Sequence, residues 1–271
     1  MALKEPENTI LLPMSTDLPT VTTVKVKSIM TGSMSSFFET KEDFAADVMP
    51  EDNIIHQAKA NGRRVIFTGD HIWGNMFKGY FDEEIYYNSL NIRDLDTNDR
   101  NVHKDVLAYL NRSKRNESDQ FDLLVTHLLG IDHAGHTFNV QHPELHRKVK
   151  ETNEILKDFI SELDDDTILL LYGDHGMTAD GNHGGDTQNE IRTVMFAYYK
   201  KGFPMLKKSK TVLKLLETYV MEDFKQIDIP SIATNLLDVP VPFSNLGIFN
   251  PLFYMHEDLS GLPEVMMKNV E

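Results

Sequence analysis

The sequence predicts an α/β fold with a mainly parallel sheet and helices on both faces. Three observations predict it. Short apolar or β-branched runs alternate with amphipathic stretches, the pattern of βαβ units. Two of the apolar runs, Asp122–Leu129 (DLLVTHLL) and Thr167–Tyr172 (TILLLY), each lead directly into a segment rich in Asp and His. Between them lies the clearest helical stretch, Pro143 to Leu163, which suits a βαβ crossover. With 271 residues and 41% apolar composition, the chain reads as one sizeable domain over residues 1–271.

The elements follow in order. Glu51–Ala60 predicts a helix with Ile54, Ile55 and Ala58 on one face and Gly62 as its stop. Arg63–Thr68 (RRVIFT) predicts a strand ended by Gly69-Asp70. Asn98–Asn111 predicts a helix carrying Val102, Val106, Leu107 and Leu110. In Pro143–Leu163, the proline suits the first turn, and Leu145, Val149, Thr152, Leu156, Phe159 and Leu163 form the apolar stripe. Ile191–Tyr198 predicts a further strand and Lys210–Val220 a helix. Asp228–Leu237 predicts a short helix with Asp228 as cap. The tail after Phe253 carries no strong pattern.

The chemistry concentrates in Asp132-His133-Ala134-Gly135-His136 and Asp174-His175-Gly176-Met177, with His183 close behind in a Gly-Asn-His-Gly-Gly segment. In a parallel α/β sheet, ligands collect outside the carboxyl ends of the strands. Asp132, His136, Asp174, His175 and His183 are therefore expected on one rim. Mixed carboxylate and imidazole donors suit zinc or a similar divalent ion. Either motif alone could be a helix cap beside a surface histidine. The two together, each after a strand, predict a two-metal hydrolase or transferase site.

Composition narrows the partners. The formal charge of −15 argues against nucleic acid and against a polybasic membrane patch, and reads as a solvated acidic surface. Without cysteine, disulfides and thiolate ligands are excluded. No apolar run approaches the ~20 residues of a membrane span, and Met1–Asn8 lacks the apolar stretch of a signal peptide. Two sequons, Asn111-Arg112-Ser113 and Asn116-Glu117-Ser118, fit a lumenal surface.

Upstream, Asp17–Ser33 holds a threonine cluster ahead of a helix-like stretch. A threonine hydroxyl at a helix N-terminus would sit where N–H groups and the dipole favour anions. Activated by a metal, it could attack phosphorus; otherwise these threonines are caps or strand residues. Among the remaining residues, His127 and His133 read as structural or supporting. Asp186 could orient His183, Lys25 and Lys27 could meet phosphate, and Trp73 reads as a packing anchor.

Six segments in order carry a family resemblance: PTVTTVKVKSIMTGS (Pro19–Ser33), GDHIW (Gly69–Trp73), RDLDT (Arg93–Thr97), LLGIDHAGH (Leu128–His136), GDHGMTADGNHGGD (Gly173–Asp186) and VPVPFSNLG (Val239–Gly247). Together they resemble the lumenal catalytic domain of the GPI ethanolamine phosphate transferases, members of the alkaline phosphatase superfamily. RDLDT and the NHGGD ending are most similar to the branch acting on the third mannose. The resemblance implies two zinc ions. Asp132, His136 and His183 match the ligands of one, and Asp174 and His175 those of the other. Counting back from Gly32 gives Thr22 as the matching nucleophile, with Thr20 as the alternative. It implies phosphatidylethanolamine as donor and the GPI glycolipid as acceptor. It also implies the endoplasmic reticulum membrane, reached through segments this chain lacks, and an accessory membrane subunit.

One departure bears on activity. The family's second zinc has a further Asp on a first sheet strand upstream of the threonine, in an Ile-Asp-Ala-Leu-Arg-like motif, and this chain has none. The expectation is therefore a first strand missing, a strand edge left unpaired and a second metal held weakly, as in a fragment of a longer enzyme. The competing readings are the second-mannose sibling, a phosphodiesterase of the same superfamily using water, and a metal-poor module without catalysis.

Overall fold

A computed structural model describes residues 5–34, 48–208 and 224–268. The expected helix at Lys210–Val220 lies outside the described residues. Among the described residues, six strands fall into two three-stranded sheets. One is parallel, in the order β3-β2-β4, from β2 (Val65–Asp70), β3 (Glu83–Tyr87) and β4 (Leu123–Thr126). The other is antiparallel, in the order β1-β6-β5, from β1 (Thr9–Ser15), β5 (Ile168–Tyr172) and β6 (Arg192–Tyr199). The parallel expectation thus holds for one sheet and not for the other. Antiparallel β6 follows the second motif after one short helix, Gln188–Ile191, rather than after a long crossover.

The helices are α1 (Thr22–Thr31), α2 (Ile54–Ala60), α3 (His71–Met76), α4 (Thr97–Arg115), α5 (Gly130–Phe138), α6 (Pro143–Glu162), α7 (Gln188–Ile191) and α8 (Ile229–Leu237), with a last turn at Leu262–Met267 in the tail. Two apolar layers flank the strands. On one face, Val102, Val106 and Leu110 of α4 and Ile155, Phe159 and Ile160 of α6 cover Leu124, Leu169 and Phe196. On the other, α1, α2, α3 and α8 cover Leu123, Val125, Ile168, Leu170, Met195 and Ala197. Alternate residues of one strand thus enter opposite layers, as the two-residue period requires. Both layers draw on β4 and β5, so the two sheets share one pair of helix layers.

Several boundaries move for local reasons. Helix α2 starts at Ile54 because the Asn53 side chain accepts the N–H of His56 and caps it. Strand β2 continues through Gly69-Asp70, and Asp70 then caps α3 by accepting the N–H of Ile72. The apolar run before the first motif is strand only over Leu123–Thr126; its end turns into α5. β1 was not expected, since Pro13 interrupts it. It lies at a sheet edge, where a residue without an N–H is tolerated, and pairs with Val194. β3 was missed because Glu-Glu-Ile-Tyr-Tyr is short and mostly polar.

Among the described residues, β4 pairs only with β2 and β5 only with β6.

Candidate metal centre

The rim residues converge. Asp132 and His136 lie on α5, four residues apart and hence on one helical face. Nε2 of His136 is 3.5 Å from Oδ2 of Asp132, and Nε2 of His183 is 3.4 Å from Oδ1. Possible ligand atoms of Asp132, His136 and His183 all lie within 4.8 Å of one another. The His183 ring stacks on His175 with centroids 3.8 Å apart. Nε2 of His175 reaches Oδ2 of Asp174 at 3.3 Å and Oγ1 of Thr22 at 3.2 Å. Thr22 is the first residue of α1, whose N-terminus has no side-chain cap. All six residues therefore form two adjoining groups.

The donor set fits cations. Nδ1 of His183 donates to the carbonyl of Thr20 at 2.7 Å, and Nδ1 of His175 to that of Gly176 at 2.9 Å. Each tautomer is thereby fixed with Nε2 facing the cluster, as metal-bound histidines require. Burial and the neighbouring His175 ring hold His183 below its ordinary pKa, keeping it a neutral donor. Oδ1 of Asp132 is buried without a hydrogen-bond partner. An orphaned carboxylate oxygen is costly unless something cationic meets it. Asp132, His136 and His183 would hold one ion; Asp174, His175 and Thr22 would surround a second.

Local folding explains the glycines. A Cβ on Gly135 would stand 2.0 Å from Sδ of Met177, and one on Gly181 would meet the Gly135 carbonyl oxygen at 2.0 Å. α5 can therefore pack against both the Asp-His-Gly-Met and Asn-His-Gly-Gly loops. Asp99 clamps the start of α5: its carboxylate accepts the N–H groups of Leu129 at 2.9 Å and Gly130 at 3.1 Å. Lys148 balances it at 2.9 Å, both side chains being essentially buried. The Asp99 carboxylate opposes burial and holds the Lys148 ammonium above its ordinary pKa.

Other residues take different roles from those considered for them. Asp186 is exposed, and the Thr20 carbonyl orients His183 in its place. Thr20 is fully buried; its hydroxyl donates to the Gly185 carbonyl at 2.9 Å and accepts the Gly184 N–H at 2.8 Å. Lys25 is fully buried and donates to the Asp17 carbonyl, while Lys27 pairs with Glu51 at 2.6 Å. Nδ1 of His133 donates to the Asp94 carbonyl at 3.1 Å, tying RDLDT to α5. VPVPFSNLG docks at the far end of α1, where Leu246 N–H donates to the Gly32 carbonyl at 2.9 Å.

Three supports escaped the sequence. Gln226 donates to the Asp174 carbonyl at 2.6 Å. Glu190 accepts the N–H groups of Gly185 and Thr187. Asp70 holds Nδ1 of His127. Only the last sat in a noted segment, Gly-Asp-His.

Known proteins extend this picture. The type I phosphodiesterase / nucleotide pyrophosphatase family matches residues 41–206, more than half of the chain. The chain is 33% identical over 256 residues to the GPI ethanolamine phosphate transferase 3 catalytic subunit of Homo sapiens, covering 94% of this chain and 22% of that protein. It is 34% identical over 257 residues to GPI ethanolamine phosphate transferase 3 of Schizosaccharomyces pombe, covering 93% and 26%. It thus spans about a quarter of the length of these relatives. Among solved structures, the soluble domain of lipooligosaccharide phosphoethanolamine transferase A from Neisseria meningitidis aligns with a TM-score of 0.60 at 11% identity, over 94% of this chain and 83% of that one. A protein of the alkaline phosphatase superfamily from Vibrio parahaemolyticus aligns at 0.57 and 15% identity, over 90% and 61%. With the fold, the rim motifs and the sequence match in agreement, the chain belongs to the type I phosphodiesterase / nucleotide pyrophosphatase family.

Proposed function

We propose that the chain is the catalytic part of a phosphoethanolamine transferase that modifies a GPI-anchor precursor, at its third mannose. The observation that carries this reading is the Thr22 hydroxyl, 3.2 Å from Nε2 of His175 at an uncapped helix N-terminus beside the ligand cluster. The similarity to the GPI ethanolamine phosphate transferase 3 proteins supports this reading, in which phosphatidylethanolamine is the donor and the GPI glycolipid the acceptor. The chain would act in the lumen of the endoplasmic reticulum from a longer, membrane-bound polypeptide with an accessory subunit. Among the described residues, no helix is long and apolar enough to cross a membrane.

Two bound divalent ions, zinc in this reading, would lower the pKa of the Thr22 hydroxyl and neutralise charge on the phosphoryl oxygens. Thr22 provides the nucleophilic oxygen. As its bond to phosphorus forms, the bond to the diacylglycerol oxygen breaks; the proton lost by Thr22 is balanced by one gained by diacylglycerol. Phosphoethanolamine then rests on Thr22. In the second step a mannose hydroxyl bonds to phosphorus as the bond to Thr22 breaks, and the proton it gives up is balanced by one regained by the Thr22 oxygen. The N–H groups at the start of α1 face the phosphoryl charge. Asp132, His136, His183, Asp174 and His175 would hold the ions.

The test is Thr22→Ala in the full-length polypeptide, assayed for transfer to the glycolipid acceptor. Loss of transfer with zinc content unchanged supports the reading. Retained transfer overturns it, and release of free phosphoethanolamine to water without transfer favours a phosphodiesterase.

A further inference from the structure

We propose that the segment Ser89–Asp94, just after β3, is a bilayer-contacting loop that sets Leu90, Ile92 and Arg93 against phospholipid beside the metal centre. The inference rests on the phosphotransfer reading in one respect, that the donor is a lipid, and deepens it by naming how the chain meets that lipid. β3 and β4 both run parallel to β2, with Tyr87 opposite Asp70. The segment therefore leaves the sheet at the end where β4 leads into α5. Oγ of Ser89 lies 2.8 Å from Nδ1 of His71, which holds the segment's start at the exit of β2. Its middle lies across α5. Oγ1 of Thr137 donates to the Ile92 carbonyl at 2.9 Å, and Nδ1 of His133 to the Asp94 carbonyl at 3.1 Å. His133 directly follows Asp132, and Thr137 directly follows His136. The loop is thus bonded to the stretch of α5 that carries two of the proposed ligands.

A single exposed leucine is ordinary. Here two aliphatic side chains and a cation stand together on a tied backbone. Leu90 is 78% exposed and Ile92 47%. Oδ1 of Asn88 accepts the Leu90 N–H at 2.9 Å, and Oδ1 of Asn91 accepts that of Arg93 at 3.2 Å. A loop ordered beforehand loses little further entropy when its side chains become buried. Arg93 is also exposed, and among the described residues its guanidinium has no hydrogen-bond or ion-pair partner. The neighbouring carboxylates are engaged elsewhere. Oδ1 of Asp94 accepts the N–H groups of Asp96 and Thr97 at 3.2 and 3.0 Å, and Asp96 pairs with Arg147 at 3.1 Å. In a chain of formal charge −15, an unpartnered arginine beside two exposed aliphatic side chains fits a surface that offers phosphate above hydrocarbon. Leu90 and Ile92 enter the acyl boundary, and the guanidinium meets headgroup phosphate. A wholly apolar protein groove would leave the Arg93 charge unmet. A second exposed ridge, Phe243, Leu246 and Ile248, lies at the opposite end of α1 from Thr22, where the Leu246 N–H meets the Gly32 carbonyl. It serves as an internal control.

The chain has no cysteine, so one introduced thiol carries one polarity-sensitive fluorophore. Leu90→Cys and Phe243→Cys, each labelled, are mixed with vesicles of phosphatidylethanolamine and phosphatidylcholine. The expected result is a blue shift, with quenching by a spin-labelled lipid, at position 90 and neither at position 243. Co-sedimentation of the unlabelled chain with the same vesicles gives a partition coefficient. Replacing both Leu90→Ser and Ile92→Ser should lower it about tenfold or more, and Arg93→Gln should lower it severalfold. An unshifted fluorophore at position 90, a shift at position 243 as large as that at 90, or equal partition of the double variant and wild type overturns the inference. A protein partner in place of a bilayer gives the first of these results. None of the readings involves transfer. An unshifted fluorophore therefore leaves the transferase reading standing, and a chain that inserts at position 90 but keeps transfer in Thr22→Ala overturns that reading and supports this inference.

Discussion

Thr20 and Thr22 are two residues apart and have opposite duties. The Thr20 hydroxyl closes a buried pair of bonds to Gly184 and Gly185, and its carbonyl orients His183. Thr20→Val leaves the Gly184 N–H unsatisfied, which costs about 1–3 kcal/mol, and should weaken zinc binding through His183. Thr22→Val removes a hydroxyl that faces His175 and should shift stability by no more than about 0.5 kcal/mol. Urea denaturation of both variants checks the contrast; equal losses would reject it. His127 gives a second residue-scale expectation. Its folded pKa is raised from 6.5 to about 9. In the metal-free chain this stabilisation is fully present below pH 6.5 and is lost as pH rises towards about 9. It amounts to roughly 3–4 kcal/mol at the upper bound, at 1.36 kcal/mol per pKa unit. Thermal melts from pH 6 to pH 9.5 should show that decline in wild type and a flatter profile in Asp70→Asn.

At the scale of elements, the site depends on how α5 is held. Its N-terminus is anchored by Asp99, and Asp99 is balanced by Lys148 of α6. Removing one partner of a buried pair strands the other charge. Lys148→Ala is therefore expected to cost about 3–5 kcal/mol and to weaken zinc binding, because Asp132 and His136 ride on the same helix. Guanidinium denaturation and zinc titration of this variant measure both effects; a stable protein with lower zinc affinity would place the coupling elsewhere. The opposite flank of α5 rests on Gly181, whose φ is +88°. Gly181→Ala meets both that left-handed backbone and the Gly135 carbonyl oxygen. The Asn-His-Gly-Gly loop should move away from α5, and zinc affinity at the Asp132 cluster should fall while α4 and α6 stay folded. Amide exchange across α4 and α6 beside calorimetric zinc titration separates the two.

For the molecule as a whole, metal binding and stability are linked. The cluster of Asp132, His136 and His183 has three protein donors within one small space, whereas the Asp174 side relies on Asp174, His175 and a hydroxyl. One tight and one weaker zinc site are expected, and calorimetry showing two equally tight sites would reject that order. Free zinc at 100 times the tight dissociation constant should add about 2.7 kcal/mol to folding stability. Chelation should lower the melting temperature accordingly.

The sequence by itself determined the α/β class, the long helix between the two motifs, though not a crossover within one sheet, and the Asp and His residues proposed for the metal centre. Their signals are local: apolar periodicity, a proline at a helix start, and Asp/His motifs just beyond apolar runs. It also held the relationship to the transferases, because that lies in short ordered motifs. Tertiary structure decided what local signals cannot carry. β1 forms despite Pro13 because an edge position needs no N–H there. β6 runs antiparallel to β5 because the second motif and the short α7 are all that joins them, with no long crossover to return the chain parallel. Thr20 and Thr22 look alike in the chain and differ only by what their hydroxyls meet. Asp70 and His127 are 57 residues apart, and only the parallel pairing of β2 with β4 brings their strand ends side by side.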